Sequence, residues 1–268
     1  MPATPVFPAV PDGVHRRLVR ICEPLKITLT GDTSGPVARP VDAGASAEEF
    51  LERPDALDAL IEDEAARVAA ATGGVRPRRD VAASRLLHFY VWSAGLLFSG
   101  PWFLEGRVPH IAGRHVRLAP GTGAMTLDLR GVVYPLPPAG PAALRSAVAE
   151  HLGPVLEAFA PHVRRGPRAL WGMAGDDLVA GLWTLGRCTG DEEAGIRAAT
   201  AVLPGDGTGP FPGAAAFRRL RDASGATHPT RTRLGCCLYY AIAPADTCLT
   251  CPRLSDPARL ARLATPSG

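Results

Sequence analysis

Apolar positions along the chain alternate first and then recur in helical steps. Leu25-Lys26-Ile27-Thr28-Leu29-Thr30 alternates as a half-buried strand does and is closed by Gly31-Asp32, which predicts an edge or hairpin strand. Ser46 and Glu49 stand at the S-x-x-E spacing of a capping box that opens a short helix, and Pro54 suits the first turn of a second. Within that second helix Leu57, Leu60, Ile61, Ala65 and Val68 share one face, and Gly73-Gly74 stops it. A third helix is predicted after Asp80, through Leu86-Leu87-His88-Phe89-Tyr90-Val91-Trp92 to Phe98. It is apolar nearly all round and therefore buried on most sides. Gly100-Pro101 is expected to end it and to leave Trp102-Phe103 in a loop.

Beyond that point the period changes. Val116–Leu118, Met125–Arg130 and Val132–Tyr134, separated by Gly/Pro turns, read as a small antiparallel meander. Leu144, Val148, Leu152, Val155, Leu156 and Phe159 then form a helical stripe, which Gly153-Pro154 is expected to kink or split. Two more helices are predicted, Trp171 to Leu185 and Asp191 to Val202, the latter with acids in its first turn. The Gly/Pro-rich stretch Pro204–Gly213 marks a boundary between a helix-rich domain, residues 1–203, and a compact cysteine-rich domain, residues 214–268. The fold class is α+β, mainly helical with a small antiparallel sheet.

Composition narrows the classes. With 268 residues, 46% hydrophobic and 21% charged, the chain has the make-up of an ordinary globular protein rather than a disordered one. A net charge of +3 does not argue for nucleic acid. Lys26 is the single lysine, and the arginine excess, alongside abundant Ala, Gly and Pro, fits a GC-rich coding sequence and solvated surface positions. The proline-rich Met1–Pro11 lacks the pattern of a secretory signal. Leu86–Phe98 falls short of the roughly 20 residues that cross a bilayer. A soluble cytoplasmic protein without stable membrane insertion is expected.

The chemistry concentrates near the C-terminal end. Four of the six cysteines lie in Cys236-Cys237 and Cys248-Leu249-Thr250-Cys251, a C-C-x10-C-x-x-C array. Thiolates are preferred ligands of zinc and of iron–sulfur clusters, and a C-x-x-C turn brings two of them to one metal. If Cys236 and Cys237 are extended, their side chains point to opposite faces, which suits a wide two-iron core better than one tetrahedral ion. Gly235 is placed to bend the chain and aim both sulfurs. Structural zinc and disulfides remain competing readings at this point, although an intracellular setting and the strain of bonding adjacent cysteines weigh against disulfides. Cys22 and Cys188 stand apart and read as small buried hydrophobes.

The array, with Tyr239 soon after the pair and Pro252 after the last cysteine, resembles the C-terminal 2Fe-2S signature of ferric siderophore reductases of the FhuF type. Leu170-Trp171-Gly172 resembles that family's Leu-Trp-Gly-Asn region, with Met173 where the amide stands. The likeness covers the C-terminal third well and the middle loosely. It implies a 2Fe-2S cluster held by Cys236, Cys237, Cys248 and Cys251, which would be the metal-binding, cofactor-binding and catalytic residues together. It further implies reduction of a ferric siderophore, of hydroxamate type, with release of ferrous iron in the cytoplasm. No dinucleotide fold is evident, so electrons are expected from an external donor, a ferredoxin or a reductase. Two other classes compete with this reading: a zinc-stapled interaction protein, and an iron–sulfur electron-transfer or sensor protein without a siderophore site.

Other residues carry two readings each. Gly205-Asp206-Gly207-Thr208-Gly209 lacks the G-K-[ST] ending of a phosphate loop and reads as a linker. His88, His110 and His115, near Trp92, Trp102, Arg107 and Arg114, describe either an aromatic and cationic pocket or ordinary core packing, which is favoured. Asp176-Asp177 are expected to cap a helix start. Arg231 and Arg233 either lie solvated on the surface or tune the cluster and hold an acidic donor or anionic substrate. Tyr239 and Tyr240 either shield the cluster or simply pack.

Overall fold

A computed structural model describes residues 13–31, 44–120, 124–135, 138–205, 209–243 and 247–263. The proline-rich N-terminus and the middle of the 205–209 glycine run lie outside the described residues. The helices are α1 (Gly13–Ile21), α2 (Glu49–Glu52), α3 (Pro54–Ala71), α4 (Arg79–Glu105), α5 (Pro141–Val163), α6 (Pro167–Cys188), α7 (Glu192–Val202) and α8 (Asp256–Leu263). Strands β1 (Ile27–Thr30), β2 (Ala45–Ser46), β3 (His110–Ile111), β4 (Val116–Ala119), β5 (Ala124–Asp128), β6 (Val132–Val133), β7 (Arg218–Arg221) and β8 (Thr227–Thr230) form three small sheets. The α+β class expected from the hydropathy pattern is the one observed.

The capping box forms as its spacing requires: Ser46 N–H donates to Glu49 Oε2 at 2.8 Å and Glu49 N–H donates to Ser46 Oγ at 3.3 Å. Helix α4 is the axis of the protein and packs against α1, α3, α5 and α6. It differs from expectation by running straight through Gly100-Pro101, with Trp102 and Phe103 inside it and Gly106, at φ 69°, as its left-handed cap. Pro101 removes the N–H that would bond the Leu97 carbonyl. His15 Nε2 on α1 donates to that carbonyl instead, at 3.0 Å, and Tyr134 Oη donates to His15 Nδ1 at 2.7 Å. The orphan is thus satisfied from outside, and no local reading of the sequence could see the partner. At its full length α4 meets the length and composition of a membrane-crossing helix, but 78% of its apolar window is buried inside the protein, as a core helix is.

Helix α5 is likewise continuous through Pro154 and is not split. The sheet departs from a simple meander. β4 and β5 form the antiparallel hairpin, with Val116 opposite Leu127, but β1 joins the far edge of β5 in parallel, with Ile27 opposite Met125. Val132–Val133 pairs with β3 elsewhere, because Asp128 accepts from the Arg130 N–H and turns the chain away through Leu129–Gly131. At the α6/α7 contact a Cβ built on Gly186 would lie 2.7 Å from the Gly195 backbone, so these helices touch main chain to main chain.

Candidate metal centre

Two arms meet to form a hollow lined by Cys236, Cys237, Cys248 and Cys251, together with Arg233, Tyr239 and Tyr240. The first arm follows the β7–β8 hairpin, and the second is the C-x-x-C turn, closed by Cys251 N–H donating to the Cys248 carbonyl at 2.9 Å. Arg233 N–H donates to the Thr250 carbonyl at 3.0 Å and stitches the arms together.

Four buried charges seat the first arm. Asp176 and Asp177 do not cap a helix start: both lie mid-helix in α6 and are buried. Arg231 and Arg233 are not solvated either, at 1% and 6% exposure. Asp176 accepts from the Arg231 guanidinium and from Gly235 N–H, the latter at 2.6 Å, while Arg233 Nη2 donates to Asp177 Oδ1 at 2.6 Å. His88 Nδ1 donates to the other Asp177 oxygen at 2.7 Å. Arg231 further donates to the Ala215 carbonyl at 3.1 Å and to the Asp176 carbonyl at 3.2 Å. Buried ions of opposite sign require this density of pairing to offset their lost hydration. An aspartate pair in an apolar helix, with an R-x-R placed before the cysteines, was the available signal; the helix-start reading obscured it.

The chain bends at Gly235 as expected, though without a positive φ. Its missing Cβ would sit 3.0 Å from the Met173 backbone on α6, and a left-handed turn follows at Leu238, at φ 63°. The Leu170-Trp171-Gly172-Met173 segment is therefore the seat for the arm, with Trp171 edge-on to the buried Phe211 at 5.4 Å.

The second arm is held from behind by α8, which the hydropathy reading did not find. Arg259, buried, donates to the Leu249 carbonyl at 2.5 Å and to the Cys251 carbonyl at 3.1 Å. Arg262 donates to Thr247, and Arg218 grips Asp256 with both terminal nitrogens at 2.6 and 2.7 Å. Asp256-Pro257, an acid followed by proline at a helix start, was the overlooked signal.

The residues present suit an anionic cluster. Cys237 and Cys251 are buried, whereas Cys236 and Cys248 reach the surface. Partial desolvation raises the Cys236 and Cys248 thiols even though both reach the surface, and a cationic metal core would offset that by stabilising thiolates. Arg233 lines this hollow, and its buried Nε, without a hydrogen bond among the described residues, lies 3.9 Å from Asp176 Oδ2. Burial alone would lower that guanidinium, but Asp177, Asp176 and the Cys237 and Cys248 sulfurs raise it. It is a fixed cation bordering the cysteines, a match for the charge of a negatively charged cluster. Among the described residues no three His, Cys, Asp or Glu side chains are gathered closely enough to hold a single metal ion; the four cysteines share only the lining of the hollow.

The remaining candidates disperse. His88 joins the buried charge network, His110 lines a separate cavity of about 260 Å³ beside His151, and His115 lies near Asp128. They do not form one pocket with the tryptophans. Cys22 is buried and its thiol, pushed up to about 12 chiefly by burial, hydrogen-bonds to Cys188.

The fold is that of an α+β protein whose C-terminal part carries a hollow lined by four cysteines. Residues 233–253 match the family described as the FhuF 2Fe-2S C-terminal domain, which supports the FhuF-type resemblance and a 2Fe-2S cofactor. That span begins at Arg233 and includes all four clustered cysteines. A search of curated proteins finds no match.

Proposed function

We propose that the chain is a cytoplasmic ferric siderophore reductase in which Cys236, Cys237, Cys248 and Cys251 are the cluster ligands. In this reading residues 1–203 form the helix-rich body and 214–268 the cluster-bearing part. The observation that carries it is the hollow lined by four cysteines and Arg233, inside the matched span. When bound, the 2Fe-2S group supplies one electron at a time.

The protein's residues do the rest. Asp176 and Arg231 fix the first arm, Arg259 fixes the second, and Arg233 presents positive charge that favours the reduced, more negative state. Cys236 and Cys248 turn the cradle's outer edge toward solvent, where a hydroxamate-type ferric chelate can approach. One electron reduces the chelated iron from ferric to ferrous, and the donor, a ferredoxin or reductase, restores the electron. Hard oxygen ligands hold ferrous iron far more weakly, so reduction releases it. No acid–base pair is required.

Protein purified without oxygen is expected to be red-brown, with about two irons and two labile sulfides per chain. Each cysteine-to-serine variant is expected to lose that absorbance and the release of ferrous iron from ferric hydroxamates, followed with a ferrous-specific chelator. A colourless protein containing zinc would replace this reading with the zinc-stapled one. An intact cluster that reduces no ferric chelate would leave an electron-transfer or sensor protein.

A further inference from the structure

Beyond the cradle lies a cationic face that the reductase chemistry itself does not use. Arg85 on α4 lies over the Tyr239 ring, 4.4 Å from its centroid, and Arg253, after the C-x-x-C turn, lies 4.2 Å over Tyr240. Arg78, exposed just before α4, is held by Asp80 at 2.6 Å. Arg165, on the α5–α6 turn, adds a guanidinium within electrostatic reach of Cys236, Cys237 and Asp80. Arg164, also exposed, faces Asp80. The acids set against these arginines are already engaged: Asp80 is paired with Arg78, and Glu64 with Arg67 and Arg85. Arg78 and Arg85 are thus each set against a carboxylate, and the positive charge left over is that of Arg164 and Arg165 on the α5–α6 turn and of Arg253 after the C-x-x-C turn.

We infer that this arginine-bordered face around Cys236, Tyr239 and Tyr240 is the docking surface for an acidic protein that carries single electrons. The inference rests on the reductase reading and names the kind of donor that reading requires. Two features suit this face to a protein. Guanidinium groups lying on aromatic rings make a broad surface of fixed charge, suited to carboxylates spread over a partner. Because Cys237 and Cys251 are buried, electrons enter by the same edge that the arginines surround. Complementary charge steers such encounters and sets their rate. In the encounter one electron passes from the reduced carrier, which is oxidised, and no bond forms or breaks.

The test uses the cluster-loaded full-length protein and stopped-flow bleaching by two reductants: a pre-reduced acidic plant-type ferredoxin, and reduced methyl viologen, a small cation. The variants are Arg78→Glu, Arg253→Glu and the two combined, with Arg197→Glu on α7, exposed and remote in sequence from the cysteines, as control. The ferredoxin rate is expected to fall roughly tenfold from about 50 to about 500 mM salt, and by a similar factor in the double variant at low salt. The viologen rate is expected to rise in that variant, since repulsion is relieved, and Arg197→Glu is expected to behave as the parent does. A salt-independent ferredoxin rate, a double variant equal to the control, or no reduction by ferredoxin while viologen succeeds overturns the docking surface. An unchanged ferredoxin rate with a raised KM for carboxylate-bearing ferric chelates would overturn it too, assigning the face to substrate. Viologen-reduced protein that releases ferrous iron keeps the reductase reading whatever ferredoxin does. Viologen-reduced protein that releases none sinks that reading, separately from the docking result.

Discussion

Replacing Asp176 by alanine removes the carboxylate that seats the cysteine arm. Arg231, 1% exposed, would keep only its bonds to the Ala215 and Asp176 carbonyls and would become an uncompensated buried cation. Breaking a buried pair from one side costs about 3–5 kcal/mol, and the Gly235 N–H, bonded to Asp176 at 2.6 Å, is orphaned at a further ~1 kcal/mol or more. The sum, roughly 5 kcal/mol, is a large share of the 5–15 kcal/mol by which domains are stable. At about 3 °C per kcal/mol the Tm should drop by roughly 15 °C. Removing both charges, as in Asp176→Leu with Arg231→Met, leaves no buried ion and should cost less than Asp176→Ala alone. Thermal and urea unfolding followed by circular dichroism measure the parent, Asp176→Ala, Asp176→Leu, Arg231→Met and the double variant. An Asp176→Ala variant within about 1 kcal/mol of the parent, or a double variant as costly as the two single changes added together, would refute the clasp.

Other consequences follow from the same geometry. Burial holds the His151 imidazole down at about 4, against an ordinary 6.5. The unfolded chain therefore binds the proton first as pH falls, and stability is present above 6.5 and lost on the way down to 4. The loss approaches about 3 kcal/mol, and His151→Gln, which can still bond Tyr90, should flatten the difference between urea midpoints at pH 7 and pH 4. An unchanged pH slope in that variant would exclude His151 as the source. Gly186→Ala should destabilise by about 1–3 kcal/mol through overpacking at the α6/α7 contact, read by the urea midpoint; a neutral substitution there would mean that the helices part freely. Arg233→Met should lower the cluster's reduction potential in a spectroscopic redox titration, with Arg233→Lys intermediate, and equal potentials in all three proteins would dismiss the Arg233 charge as a tuning group.

The sequence by itself determined most of the helices, because their apolar stripes, the Ser46/Glu49 box and Pro54 act over one or two turns. It also marked the four clustered cysteines, since their spacing is a local chemical signature. Tertiary structure decided what local rules cannot reach. Helix α4 survives Pro101 because His15, far away in sequence, takes up the freed carbonyl. β1 chose a parallel partner across a gap of many residues, a pairing that alternation alone does not specify. Most consequentially, Asp176 and Asp177 were given Arg231 and Arg233 across more than fifty intervening positions, which turned residues that read as a cap and a solvated surface into the seat of the metal centre. A charge declares its own sign in a sequence, but its partner and its burial exist only once the chain has folded.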